Sequence, residues 1–137
     1  ALTRSSRIRA ALRWLTALFY SFAGIMHLVR PEPFLTIMPP HVPWPEAVVL
    51  WTGVAELLGA AGLVQPWAAD CGAGIGLALY ALCVWPANIH HFALDMAKEG
   101  GGLGLGYHVP RMIAQPVLIW LALWVGGATN WPLRRAA

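Results

Sequence analysis

The sequence predicts an all-α integral membrane protein: a four-transmembrane-helix bundle, both termini cytoplasmic, with a proline-rich outer loop carrying a short amphipathic segment. Three observations carry that expectation. First, the 137 residues are 58% hydrophobic and only 11% charged, against ~25% charged in an average soluble domain. Second, the charges are segregated. Runs 14–29, 71–94 and 112–133 contain no Asp, Glu, Lys or Arg, and the run 47–69 is broken only by Glu56. Each run is close to the ~20 residues that cross ~30 Å of hydrocarbon as a helix. Third, the basic residues sit at the ends. Arg4, Arg7, Arg9 and Arg13 precede the first run and Arg134 and Arg135 follow the last, while the two wide connections hold Arg30 and Lys98. By the positive-inside rule, that asymmetry places both termini in the cytoplasm. Residues 1–137 thus form one domain, with helices over about 10–28, 46–64, 70–91 and 110–127.

The first run reads as a retained helix and not a cleavable signal, because no small-residue cleavage site follows it. Residues 1–9 form a basic tail at the membrane surface. Thr16, Tyr20, Ala23 and His27 recur at helical spacing along one stripe of the first helix. Arg30-Pro31 ends it, since proline disfavours helix at the residue before it.

The connection 31–45 contains Pro31, Pro33, Pro39, Pro40, Pro43 and Pro45 among Phe34, Leu35, Ile37, Met38 and Trp44. So much apolar surface predicts a short amphipathic stretch at 33–38 lying on the outer membrane surface, followed by extended PPHVPWP. Pro45 and Glu46 suit the first turn of the second helix, by fixed φ and by the helix dipole respectively.

Gln65-Pro66-Trp67 is a tight turn, which makes the second and third helices antiparallel neighbours. Gly72 and Gly76 offer a GxxxG contact face on the third helix. Pro86 should kink it and free carbonyls near residue 82. Cys71 and Cys83 are twelve apart on one helix, ~18 Å along its axis, too far to bridge. Both read as small buried apolar side chains. Residues 95–109 are glycine-rich and read as a mobile loop; the GxGxxG-like match there follows no strand and is not a nucleotide motif. Pro110-Arg111 opens the fourth helix.

Glu56 is the most informative residue. A carboxylate near a bilayer midplane costs at least ~3 kcal/mol on insertion scales. It must therefore be buried in the bundle against a polar partner; His27, Arg111 and Gln115 are the candidates. Alternating the helices across the membrane brings His27, Asn88, His90, His91 and Arg111 to the outer ends. Glu56 lies ten residues in from Glu46, ~15 Å deep, and Gln115 is one turn below Arg111. Polar side chains from four helices thus converge on one outer cavity.

Four motifs lie in order along the helices: GxxH at Gly24–His27 followed by RPEPF, GxxExxG at Gly53–Gly59, PAN at Pro86–Asn88 and RxxxQ at Arg111–Gln115. Together they resemble the DoxX/DoxD-like family over nearly the whole chain. That resemblance implies a small four-helix protein of the bacterial inner membrane, in a family with some quinone-reactive or oxidoreductase-complex members. The His90-His91 pair and the glycine-rich 100–106 segment depart from the family pattern.

The expected function is a subunit of a redox complex that binds a quinone or similar small amphipathic molecule. His27 and Glu56 would act on it, with Tyr20, Asn88, Arg111 and Gln115 binding it. His27 and Arg111 could hold a carbonyl oxygen while Glu56 exchanges protons. Electrons would come from elsewhere, since the chain shows no flavin, iron–sulfur or CxxC signature. The alternative cofactor is a b-type haem held by His27 with His90 or His91, a pattern that ordinary interfacial histidines also produce. No other metal set stands out. The non-enzymatic alternative is a structural or assembly subunit of a larger membrane complex. Expected partners are the lipid bilayer and other membrane subunits or further copies of the chain. The basic ends are too sparse for nucleic acid.

Overall fold

In the computed structural model, residues 4–65 and 70–131 are described. The chain order is α1 (Arg4–Val29), α2 (Glu32–Thr36), α3 (Pro45–Val64), α4 (Asp70–Ala97) and α5 (Leu105–Val125), with a 3₁₀ turn at Glu99–Gly101. No strand occurs among the described residues. Four helices, all but α2, are long and apolar enough to cross a membrane. The expected all-helical bundle is therefore present, and the chain reads as a multi-pass membrane protein.

The helix bounds differ from the expectation in instructive places. Residues 4–9, expected as a surface tail, belong to α1, and Arg9 is buried. Its Nη2 donates to Asn130 Oδ1 at 2.9 Å, and its guanidinium carbon lies 4.7 Å from the centre of the Trp124 ring. Helix α4 continues six residues past His91, and α5 starts at Leu105, so Pro110 and Pro116 both lie inside it. Only 98–104 is left as connection. The stretch 33–38, expected to be amphipathic, overlaps α2, which opens on Pro31-Glu32-Pro33. Pro66 and Trp67 of the expected turn, the Cys71 side chain and Arg134–Arg135 lie outside the described residues.

The helices form a ring in sequence order. α1 packs on α3, α3 on α4 and α4 on α5, whereas α1 touches α5 only briefly. Small residues set the close approaches. Gly24 and Gly53 face each other, so that a Cβ on Gly24 would lie 2.9 Å from the Gly53 carbonyl oxygen. Farther along, Gly62 meets Ala73, and Gly74 meets the backbone of Ala122 and Gly126. The GxxxG pair does not do this. Among the described residues no atom lies within 4 Å of a Cβ built on Gly72 or Gly76. The α4–α5 contact runs through Gly74, on another face.

These approaches leave the bundle solid at one end and hollow at the other. Ala60, Leu63, Leu77, Ala122 and Trp124 belong to one buried cluster in the half that holds the start of α1 and the end of α5, and Tyr20 borders both this cluster and the open end. At the opposite end, α2 and the segment after it cap a cavity.

Candidate functional site

The cavity has a volume of about 620 Å³ and draws its walls from α1, α3, α4, α5 and the segment 37–42. Tyr20, His27, Glu56, Asn88, Arg111 and Gln115 all line it. Every residue expected to act on or bind a ligand is thus brought to one space. Most of the remaining wall is apolar, including Phe19, Ile37, Val48, Val84 and Leu118. Cys83, expected to be buried, is exposed and also lines this space.

The polar groups stand at two levels. At the deeper level, Tyr80 Oη donates to Glu56 Oε1 at 2.5 Å. Glu56 is 4% exposed, and its other oxygen lies 3.5 Å from His27 Nδ1. Thr52 Oγ1 sits 3.2 Å from that same nitrogen and 2.9 Å from the Val49 carbonyl oxygen. A hydroxyl has one proton, and Thr52 gives it to Val49. It therefore accepts from His27, which places the ring proton on Nδ1, facing Thr52 and Glu56. The Gly24–Gly53 approach fixes this corner, because a Cβ on Gly53 would lie 2.7 Å from His27 Cβ. The His27 ring also meets Phe34 of α2 edge-on, at 3.8 Å between centroids.

Expected partners for Glu56 were His27, Arg111 and Gln115. Of these only His27 is close, and Tyr80 supplies the hydrogen bond. Gln115 Nε2 instead donates to the Ala81 carbonyl at 3.0 Å. That oxygen lies in the turn before Pro86, where proline disturbs the helical ladder. Asn88, on the same helix, is engaged elsewhere: its Oδ1 accepts from Arg111 Nη2 at 2.6 Å.

Arg111 belongs to the second level. Its Nη1 donates to His91 Nδ1 at 2.8 Å and to Tyr107 Oη at 3.1 Å. Behind it lies a group that the sequence reading missed. Asp95 is 1% exposed and His108 0%. Asp95 Oδ2 accepts from His108 Nε2 at 2.7 Å and from the Leu103 amide at 3.1 Å, while Oδ1 accepts from Lys98 Nζ at 2.9 Å. His91 Nε2 is 3.5 Å from Oδ2. The glycine-rich connection, expected to be mobile, is thus tied down by one carboxylate. Its glycines answer a backbone need: Gly100, Gly101, Gly102 and Gly104 all have φ between 57° and 84°, which other residues rarely adopt.

His91, Asp95 and His108 present ligand-type atoms within 4.8 Å of one another. Here they form a hydrogen-bonded network: His91 Nδ1 accepts from Arg111, His108 Nε2 meets Asp95, and Lys98 stands against the same carboxylate. His90 does not line the cavity, and His91 is held by Arg111 and Asp95.

Comparison with known proteins adds one relation. No curated protein and no solved structure matches the chain. The model of a family described as a domain of unknown function, DUF8561, matches residues 15–126. That stretch holds every cavity-lining residue and the whole Asp95 cluster, and the chain belongs to this family.

Proposed function

We propose that this protein is a ligand-binding subunit of the bacterial inner membrane, holding a quinone or similar small amphipathic molecule in its cavity as part of a redox complex. The observation that carries the reading is the gathering of six expected residues around one 620 Å³ space. Ligand sites are typically clefts of ~300–1,000 Å³ with mainly apolar walls and a few placed polar groups. The apolar wall would take the body of the ligand. The Tyr80–Glu56–His27 set would meet one polar end, and Asn88 and Arg111 the other. Glu56 and Tyr80 can pass or receive a proton at a ligand oxygen brought within hydrogen-bond reach. The DoxX-like motif order supports the same reading, and the arginine-rich N-terminal end supports an orientation with the termini in the cytoplasm and the cavity facing outward.

The test is purification in a mild neutral detergent, followed by mass spectrometry of the small molecules retained. The wild-type protein should keep a defined amphiphile that Ala114→Phe, which fills the cavity, releases. Retention of bulk lipid alone, equal in both proteins, would sink the reading. A second reading, an assembly subunit, draws on the open face at Gly72 and Gly76, where another transmembrane helix could approach closely. It predicts a stable larger complex whose activity Glu56→Gln leaves unchanged.

A further inference from the structure

Within that cavity-binding reading, on which this inference rests, we infer that the ligand carries an anionic oxygen group and that Arg111 is the residue that binds it. The argument begins with a count of charges and donors. A guanidinium has five N–H groups. Arg111 uses three, toward His91 Nδ1, Tyr107 Oη and Asn88 Oδ1. The Nε–H and one Nη2–H have no acceptor among the described residues. All three acceptors used are neutral: a ring nitrogen, a phenol and an amide.

No carboxylate lies within 4 Å of Arg111 among the described residues. Asp95 connects to it only through His91, and Lys98 Nζ stands 2.9 Å from that carboxylate. Glu56 is the acid that lines the cavity, but it is bound to Tyr80. Tyr80 and Asn88 are eight residues apart on α4, which separates the Glu56 and Arg111 levels by ~12 Å along the helix. The Arg111 end of a mostly apolar slot therefore holds a positive charge with no local counterion.

Electrostatic interactions strengthen as the dielectric falls, so the missing partner is a negative charge. Two adjacent N–H groups of a guanidinium match a carboxylate or phosphate better than a single neutral oxygen. Below Arg111, Ala114, Leu118 and Val84 continue the wall as apolar surface. The chemistry that fits is an oxyanion head on an apolar tail, and a neutral quinone fits this end less well.

The experiment measures binding of dodecanoate, dodecyl phosphate, dodecanol and decylubiquinone to the full chain in maltoside detergent. Thermal shift and calorimetry give the readouts. Dodecanoate or dodecyl phosphate should bind at least about tenfold more tightly than dodecanol. The order of the two acids tells whether the head is a carboxylate or a phosphate. Arg111→Gln should remove that preference, bringing the two acids to the level of dodecanol. Arg111→Lys, the safer variant should the glutamine protein fail to fold, should retain a reduced preference. Equal binding of acids and alcohol overturns the anionic head and leaves the cavity reading standing. A full preference in Arg111→Gln overturns the role of Arg111. Absence of binding by all four probes overturns both readings.

Discussion

Tyr80 and Glu56, 24 residues apart in the chain, share a 2.5 Å hydrogen bond inside a cavity of the bundle. A carboxylate at this depth has no bulk water to solvate it. The phenol is therefore its principal solvent. Tyr80→Phe removes the donor and should destabilise the protein by about 1–3 kcal/mol. In a double-mutant cycle with Glu56→Gln, the pair should couple by ~0.5–3 kcal/mol. Glu56→Gln with Arg111→Ala should instead be additive within ~0.5 kcal/mol, as the two groups stand at different levels. Thermal unfolding in detergent measures both cycles. Coupling of equal size in the two would show that the levels are not independent.

Gly53→Ala addresses the α1–α3 contact. The added methyl meets His27 Cβ at 2.7 Å and the Gly24 carbonyl oxygen at 3.1 Å. Neither is the free end of a flexible side chain. Overpacking of this kind costs ~1–3 kcal/mol, and here it also displaces His27 from Thr52 and Glu56. Gly76→Ala, on the open face of α4, should be neutral or slightly stabilising as helix propensity. A monomer melting curve that falls equally for both would contradict the packing described.

Asp95→Asn tests the tie on the glycine-rich connection. The neutral amide cannot satisfy the Lys98 ammonium, the Leu103 amide and His108 together. Amide hydrogen exchange at Leu103 should accelerate, and protease cleavage within 98–104 should appear. The effect should reach Arg111 through His91 and show as weaker ligand binding. Unchanged exchange at Leu103 would mean that the connection is held by other means.

Topology is open to a direct check. In a background with Cys71→Ser and Cys83→Ser, single cysteines at positions 40 and 102 should react with an impermeant thiol reagent from outside the cell. Cysteines at positions 4 and 130 should be protected. The reverse pattern would invert the orientation and place the cavity toward the cytoplasm.

Much of the site was legible because depth in a membrane bundle follows from counting along each helix. Glu56, His27, Asn88, Arg111 and Gln115 are too polar for lipid, and counting places them in one half of the bundle. The same counting would have found Tyr80. Its midpoint with Glu56 is position 68, inside the connection between α3 and α4, so an antiparallel pair sets them side by side. Tyr80 escaped because tyrosine is at home in apolar stretches and carries no charge to draw attention. Asp95 and His108 escaped for another reason. Their glycine-rich neighbours read as flexible from composition, whereas positive φ and a shared carboxylate give that segment a fixed path. Which glycines would touch a neighbour was also not legible. Gly72, Gly74 and Gly76 look alike in sequence, and only the rotation of α4 against α5 selects Gly74.

The ring of helices is closed unevenly along its length. Polar contacts that join α1 to residues 125–130 include Arg9 with Asn130 and Arg13 Nε with the Val125 carbonyl, at 2.9 and 3.0 Å. Both lie at the solid end. On the cavity side, α1 is held by α3 through Gly24 and Gly53 and by α2 through His27 and Phe34. The cavity-side half of α1 is therefore positioned by α3 and α2, and not by the Arg9–Arg13 clasp. His27 stands some fourteen residues from Arg13, ~21 Å along the helix, so its place on the cavity wall depends on the α1–α3 and α2 contacts.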